Sequence, residues 1–153
     1  MLAEHVMSSD IVSIQLGATV RDAVALFQES TLHDFPVVDA DGRPVGIVTA
    51  RSILHFAVPA YASVDLLAIM KGGPDIGSVY KNLEAVLDHP IKKVIEEDFE
   101  VVKATMPTSA VAAMLINLKS DTSNILVVND AGKLIGIISA RDIICRLPER
   151  LQE

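Results

Sequence analysis

The chain has no tryptophan, a single cysteine, Cys145, and aromatic residues at only 4% of its 153 positions. One thiol permits no intrachain disulfide and no thiolate metal cluster, which points to a reducing cytoplasm. With so few rings, the core must be built from Val, Ile, Leu, Ala and Met, and these are abundant. Apolar residues make up 50% and mean hydropathy is +0.41. Basic residues are scarce, with 13 Lys and Arg against 20 Asp and Glu, giving a net charge of -7. Nucleic-acid binders carry a basic stripe that displaces counterions, so this balance argues against DNA or RNA as a partner. It leaves room for a small anion in a local pocket.

Long hydrophobic runs are missing too. The longest uncharged stretch, Ala104 to Leu118, is broken by Thr105, Pro107, Thr108, Ser109 and Asn117. It falls short of the roughly 18 apolar residues of a spanning helix, so no membrane association is expected. The opening Met1-Leu2-Ala3-Glu4-His5 lacks the basic-then-apolar layout of a signal peptide. There is no P-loop, dinucleotide fingerprint or serine elbow. His5, His33, His55 and His89 are scattered without ligand spacing, so no metal site is expected. Asp39-Ala40-Asp41-Gly42 hints at a calcium loop, yet Ala50 stands where the closing Glu is needed, and a turn is the better reading. Cys145, among Ile143, Ile144 and Leu147, reads as a buried small hydrophobe. No base, nucleophile and orienter cluster together, so no catalysis is expected.

What is present is a repeat. Phe35 to Leu54 aligns without a gap on Ile125 to Ile144, matching both Val-Val pairs, both glycines of each copy, the Gly-Ile step and the Ala-Arg pair. Upstream, Val6 to Asp10 aligns with Val94 to Asp98, and Thr19 to Phe27 with Thr108 to Ile116. Each copy predicts a βαββα string. Ile11–Leu16 and Phe99–Lys103 read as strands, and an apolar stripe follows Thr19 as a plausible N-cap and likewise Thr108. Two strands then flank a tight turn, Asp39–Gly42 or Asn129–Gly132, and short helices start at Ala50 and Ala140. Gly46 and Gly136 lie inside strands, where a missing side chain permits close backbone approach. Residues 1–58 and 91–153 are thus the two motifs. Between them, 59–90 forms a helical connector, with Ser63–Met70 stopped by Lys71-Gly72-Gly73-Pro74 and Asp75–Leu87 ended by His89-Pro90. This connector is the natural output element.

Both copies resemble the CBS motif, named for cystathionine β-synthase. The resemblance rests on Phe35-Pro36-Val37-Val38-Asp39 with Gly46 to Ser52, and on Ile125-Leu126-Val127-Val128 with Gly136 to Asp142. It implies an α/β fold of two motifs packed sheet to sheet about a pseudo-twofold axis. It further implies a stand-alone module with two clefts for adenosine-containing ligands, forming a homodimer through its helices and signalling to an unidentified protein target. A bound AMP, ADP or ATP is the implied ligand, with S-adenosylmethionine or NAD as alternatives and no cofactor required. A dimerisation module with vestigial clefts is the competing reading.

On spacing alone Ser139-Ala140-Arg141-Asp142 is a capping box at a helix start. By the resemblance, Asp142 accepts hydrogen bonds from ribose hydroxyls, Ser139 approaches a phosphate beside the helix N-terminus, and Arg141 adds a charged contact. Val101, Ile125 and Leu126 would line the adenine slot. In the first copy the counterparts are Ser13, Phe35, Pro36, Thr49, Arg51 and Ser52, with Ser52 where the carboxylate should stand. That cleft is expected to be the weaker one.

Overall fold

Two β-branched runs separated by Asp-x-x-Gly or Asn-x-x-Gly leave each repeat one economical pairing, an antiparallel hairpin. The computed structural model, which describes residues 1–58, 76–118 and 122–146, contains that hairpin twice. In chain order the elements are α1 (Ala3–Val6), β1 (Ile14–Gln15), α2 (Val20–Glu29), β2 (Asp34–Val38), β3 (Pro44–Thr49), α3 (Ala50–Ala57) and α4 (Ile76–Val86). A 3-10 turn (Ile91–Lys93) follows, then β4 (Ile95–Glu96), β5 (Val101–Lys103), α5 (Thr108–Ile116), β6 (Asn124–Val128), β7 (Leu134–Ser139) and α6 (Ala140–Cys145). The expected helix over Ser63–Met70 and its Gly-Gly-Pro stop lie outside the described residues. The expected strands are shorter than their apolar runs, because only Ile14–Gln15 and Val101–Lys103 find ladder partners, both parallel.

The turns are locked by their first side chain. Asp39 Oδ1 accepts from the backbone N–H of Asp41 and Arg43, both at 2.9 Å, and Asn129 Oδ1 accepts from Ala131 and Lys133 at 3.0 Å. Gly42 and Gly132 close them at φ 81° and 79°, where a side chain would be strained. The turns also meet each other: Leu134 N–H donates to Gly42 O at 3.0 Å and Arg43 Nε to Ala131 O at 3.3 Å.

The sheets run β1-β2-β3-β4 and β5-β6-β7. Alternation splits each hairpin between two faces. Phe35, Val37 and Val48 pack with helix residues Val20, Ala23 and Ile53 in one core cluster; Ile125, Val127 and Ile138 pack with Val111 in the other. Val38, Ile47, Leu126 and Val128 are buried but belong to neither cluster, and alternation turns them to the opposite face, between the sheets.

The leading segments are exchanged. β4 opens the second repeat yet pairs with β3 of the first, Ile47 opposite Glu96 and Val48 opposite Ile95. Reciprocally, Ser8 bridges Ile137 of β7 through two backbone bonds of 2.9 and 3.0 Å. Ile91 and Val94 complete the first core; Ala3 and Val6 complete the second. Gly46 and Gly136 mark the crossing points. A Cβ on Gly46 would stand 3.0 Å from Glu96 O, and one on Gly136 would stand 2.4 Å from Met7 Sδ. Each half of the sequence therefore finishes the core of the other.

Two local expectations are corrected. The cap of α5 is Pro107, so Thr108 is its first helical residue, and its Oγ1 is buried without a partner. Cys145 is exposed, because α6 turns its Cys145 edge away from the core. Leu147, its expected neighbour, lies outside the described residues. No helix among the described residues is long and apolar enough to cross a membrane.

Candidate functional site

The last strand of each repeat runs straight into a helix, so the residue at the junction must cap it. Thr49 and Ser139 adopt extended backbone there (φ -116° and -108°), freeing their side chains for the helix N–H groups. In the first repeat Thr49 Oγ1 accepts from Ser52 N–H at 2.8 Å. The Ser52 hydroxyl accepts from Thr49 N–H at 3.1 Å and donates to Thr49 O at 2.9 Å. Both residues are buried, and the Ser52 proton is spoken for.

The second repeat builds the same box with a carboxylate. Asp142 Oδ2 accepts from Ser139 N–H at 2.7 Å and from the Ser139 hydroxyl at 2.8 Å, while Asp142 N–H donates to Ser139 Oγ at 3.3 Å. Asp142 is half-buried, and among the described residues its Oδ1 has no hydrogen bond. Capping thus occupies one oxygen of a carboxylate that has about four acceptor positions in all. The capping reading is realised without excluding the binding one. The helix behind it, α6, is described over six residues, so it adds little macrodipole.

The remaining predicted residues divide by burial. Val101 is 38% exposed at the start of β5, opposite Leu126. Ile125 and Leu126 are enclosed, at 0% and 1%, so their side chains cannot face an open slot and a base could reach only Val101 of the three. Around the other cap, Phe35 is fully buried with its ring 4.7 Å from that of Phe27, and Pro36 is buried. Ser13, Arg51 and Arg141 are exposed. The structure brings Ser139 and Asp142 into contact and pairs Val101 with Leu126. Arg141 is bonded to neither cap residue.

Sequence reasoning missed Asp34, Ser123 and Asn124. Asp34 is buried at 8% and accepts hydrogen bonds from Asn124 Nδ2 and from the N–H and hydroxyl of Ser123. The signal was one column away, since Asp34 and Asn124 immediately precede the gapless block of the repeat.

Two cavities lined by described residues lie elsewhere. One of about 560 Å³ is walled by Met1, Val6, Thr108, Ile143, Ile144 and neighbours. One of about 240 Å³ lies among Val24, Phe27, Ile53, Leu54 and Leu83. Neither contains a predicted site residue.

The family model for the CBS domain matches residues 3–58 and 91–149. An uncharacterized protein of Methanocaldococcus jannaschii is 26% identical over 148 residues, covering 94% of this chain, which spans 48% of that relative. The 5'-AMP-activated protein kinase subunit gamma of Saccharomyces cerevisiae is 22% identical over 133 residues, covering 86% of this chain and 35% of that protein. Among solved structures, CBSX2 in complex with AMP superposes with TM-score 0.69 at 18% identity, covering 99% of this chain and 98% of that one. At that identity the likeness establishes the fold.

Proposed function

The chain belongs to the CBS domain family, as a tandem pair of CBS motifs, and on that premise we propose that it is a regulatory module rather than an enzyme. In this reading it holds an adenine nucleotide in one cleft, at the cap of α6. The observation that carries the reading is the asymmetry of the two caps. Asp142 keeps one unengaged carboxylate oxygen on a half-buried turn, whereas the Ser52 hydroxyl is sealed by Thr49. A diol presents two donors, and an ionised carboxylate only accepts, so Asp142 suits a ribose. A hydrogen bond to a charged group contributes about 1.5–3 kcal/mol, so the cleft lacking it binds roughly ten- to a hundredfold more weakly. The relative whose name specifies AMP-activated kinase and the solved neighbour holding AMP support adenine as the base.

The helices also support pairing with a second copy. Ile116 on α5 is 83% exposed and Ile144 on α6 is 68% exposed, both large apolar side chains that water solvates poorly.

Thermal melting of the full chain with AMP, ADP, ATP, S-adenosylmethionine and NAD tests the ligand. A ligand at a hundred times its dissociation constant stabilises by about 2.7 kcal/mol, a readily resolved shift. Asp142→Ala should remove most of the shift. If no adenosine-containing ligand moves the melt, the module is a scaffold and the reading fails.

A further inference from the structure

Asp34 opens β2 and Asn124 opens β6, at equivalent positions of the two repeats, and their side chains meet. Each faces the cap of its own repeat. Asp34 is the antiparallel partner of Thr49, and Asn124 of Ser139. Cross-strand partners project to the same side of a sheet. The series Thr49, Asp34, Asn124, Ser139 therefore runs from one cap to the other with a carboxylate inside it. Asp34 is 8% exposed, and the ion pairs among the described residues do not include it. Its hydrogen-bond partners, Asn124 and Ser123, are neutral donors. They satisfy its lone pairs without cancelling its charge, and that charge acts strongly where little water intervenes.

We propose that Asp34 is a specificity-determining residue, which ranks adenosine-containing ligands by charge. It favours the nucleoside, the monophosphate and adenosyl cations over di- and triphosphates. The inference rests on the reading of the Ser139–Asp142 cap as the adenosyl site. A phosphate chain beside the Ser139 cap lies one side chain from Asp34, with Asn124 as the spacer. Asp142 contributes a second negative charge on the same cap. Arg141, the cation nearest Ser139 in sequence, is exposed and hydrogen-bonded to neither residue of the cap. Coulomb repulsion at an effective dielectric of about 20 makes each added phosphate charge weaken binding by roughly three- to tenfold.

Isothermal titration calorimetry on the full chain, with adenosine, AMP, ADP and ATP in magnesium-free buffer, tests this. The wild type should bind AMP more tightly than ADP, and ADP more tightly than ATP. Asp34→Asn should raise ATP affinity by at least about tenfold and leave adenosine nearly unmoved, a selective change that a merely structural role would not produce. Tighter ATP than AMP binding by the wild type overturns the proposal, and that arm needs no variant to fold. So does an equal effect of Asp34→Asn on all four ligands. Equal affinities that Asp142→Ala still abolishes overturn the charge ranking alone. Binding of none of the four overturns the adenosyl reading and the ranking with it.

Discussion

Placing alanine at Gly46 or at Gly136 puts the same methyl group into two crossings that differ in what stands opposite. At Gly46 the new Cβ would lie 3.0 Å from the carbonyl oxygen of Glu96, 3.0 Å from Ile95 Cδ1 and 3.1 Å from Ile95 Cβ. The carbonyl belongs to β4, and moving it stretches the pairing of β4 with β3. At Gly136 the distances are shorter, 2.4 Å to Met7 Sδ and 2.9 Å to Met7 Cγ, with Met7 Cβ at 3.1 Å, but the two nearest atoms lie on a flexible side chain and can swing away. Rotation of Met7 relieves most of that clash. Gly46→Ala is therefore expected to cost about 1–3 kcal/mol, the usual range for overpacking, and Gly136→Ala less than about 1 kcal/mol. For a chain of this size the first corresponds to a fall in Tm of roughly 2–12 °C. A double-mutant cycle gives the sharper readout. Met7→Ala should couple to Gly136→Ala by at least about 0.5 kcal/mol and add to Gly46→Ala without coupling. Urea unfolding with fitted m-values measures both. A larger loss from Gly136→Ala, or no coupling to Met7, would refute the argument that backbone proximity decides the cost.

The exchanged segments yield a second expectation: Ile91→Ala, in the second repeat's leader, should destabilise the chain by about 2–5 kcal/mol in chemical unfolding, because Ile91 is 0% exposed inside the first repeat's core. A cost under 1 kcal/mol would mean the leader is not part of that core. Arg21 and Asp88 form a 3.1 Å ion pair with side chains 59% and 84% exposed, so Asp88→Asn should shift stability by less than about 1 kcal/mol in the same assay. Ile144→Glu places a charge on the exposed apolar face of α6. Light scattering should then report a mass falling from twice 16.4 kDa to 16.4 kDa, and a wild type that is already monomeric would exclude the pairing.

Much of this was legible because the repeat carries strong local signals. The Asp39 and Asn129 turns and the helix starts after Thr49 and Ser139 each follow from side chains acting within four residues. The exchange of leaders was not legible. Val6–Asp10 and Val94–Asp98 are similar, so sequence likeness cannot say which core either one completes. The family resemblance implies Val101, Ile125 and Leu126 as the adenine slot, but strand alternation and pairing enclose Ile125 and Leu126 and leave Val101 at the surface. Asp34 escaped notice because a lone acidic residue before a strand looks solvated; only the partner repeat, folded against it, makes it buried. Pro107 displaced Thr108 as cap because its fixed φ already suits the turn into α5.

In the proposed reading one cleft, marked by Asp142, binds the ligand roughly ten- to a hundredfold more tightly than its counterpart at Ser52. Calorimetric titration of the wild type with AMP reads it directly as a stoichiometry. Close to one AMP per chain should bind, and that binding should be lost in Asp142→Ala although the variant remains folded by circular dichroism. Two equal sites per chain, or binding that survives Asp142→Ala, would contradict it.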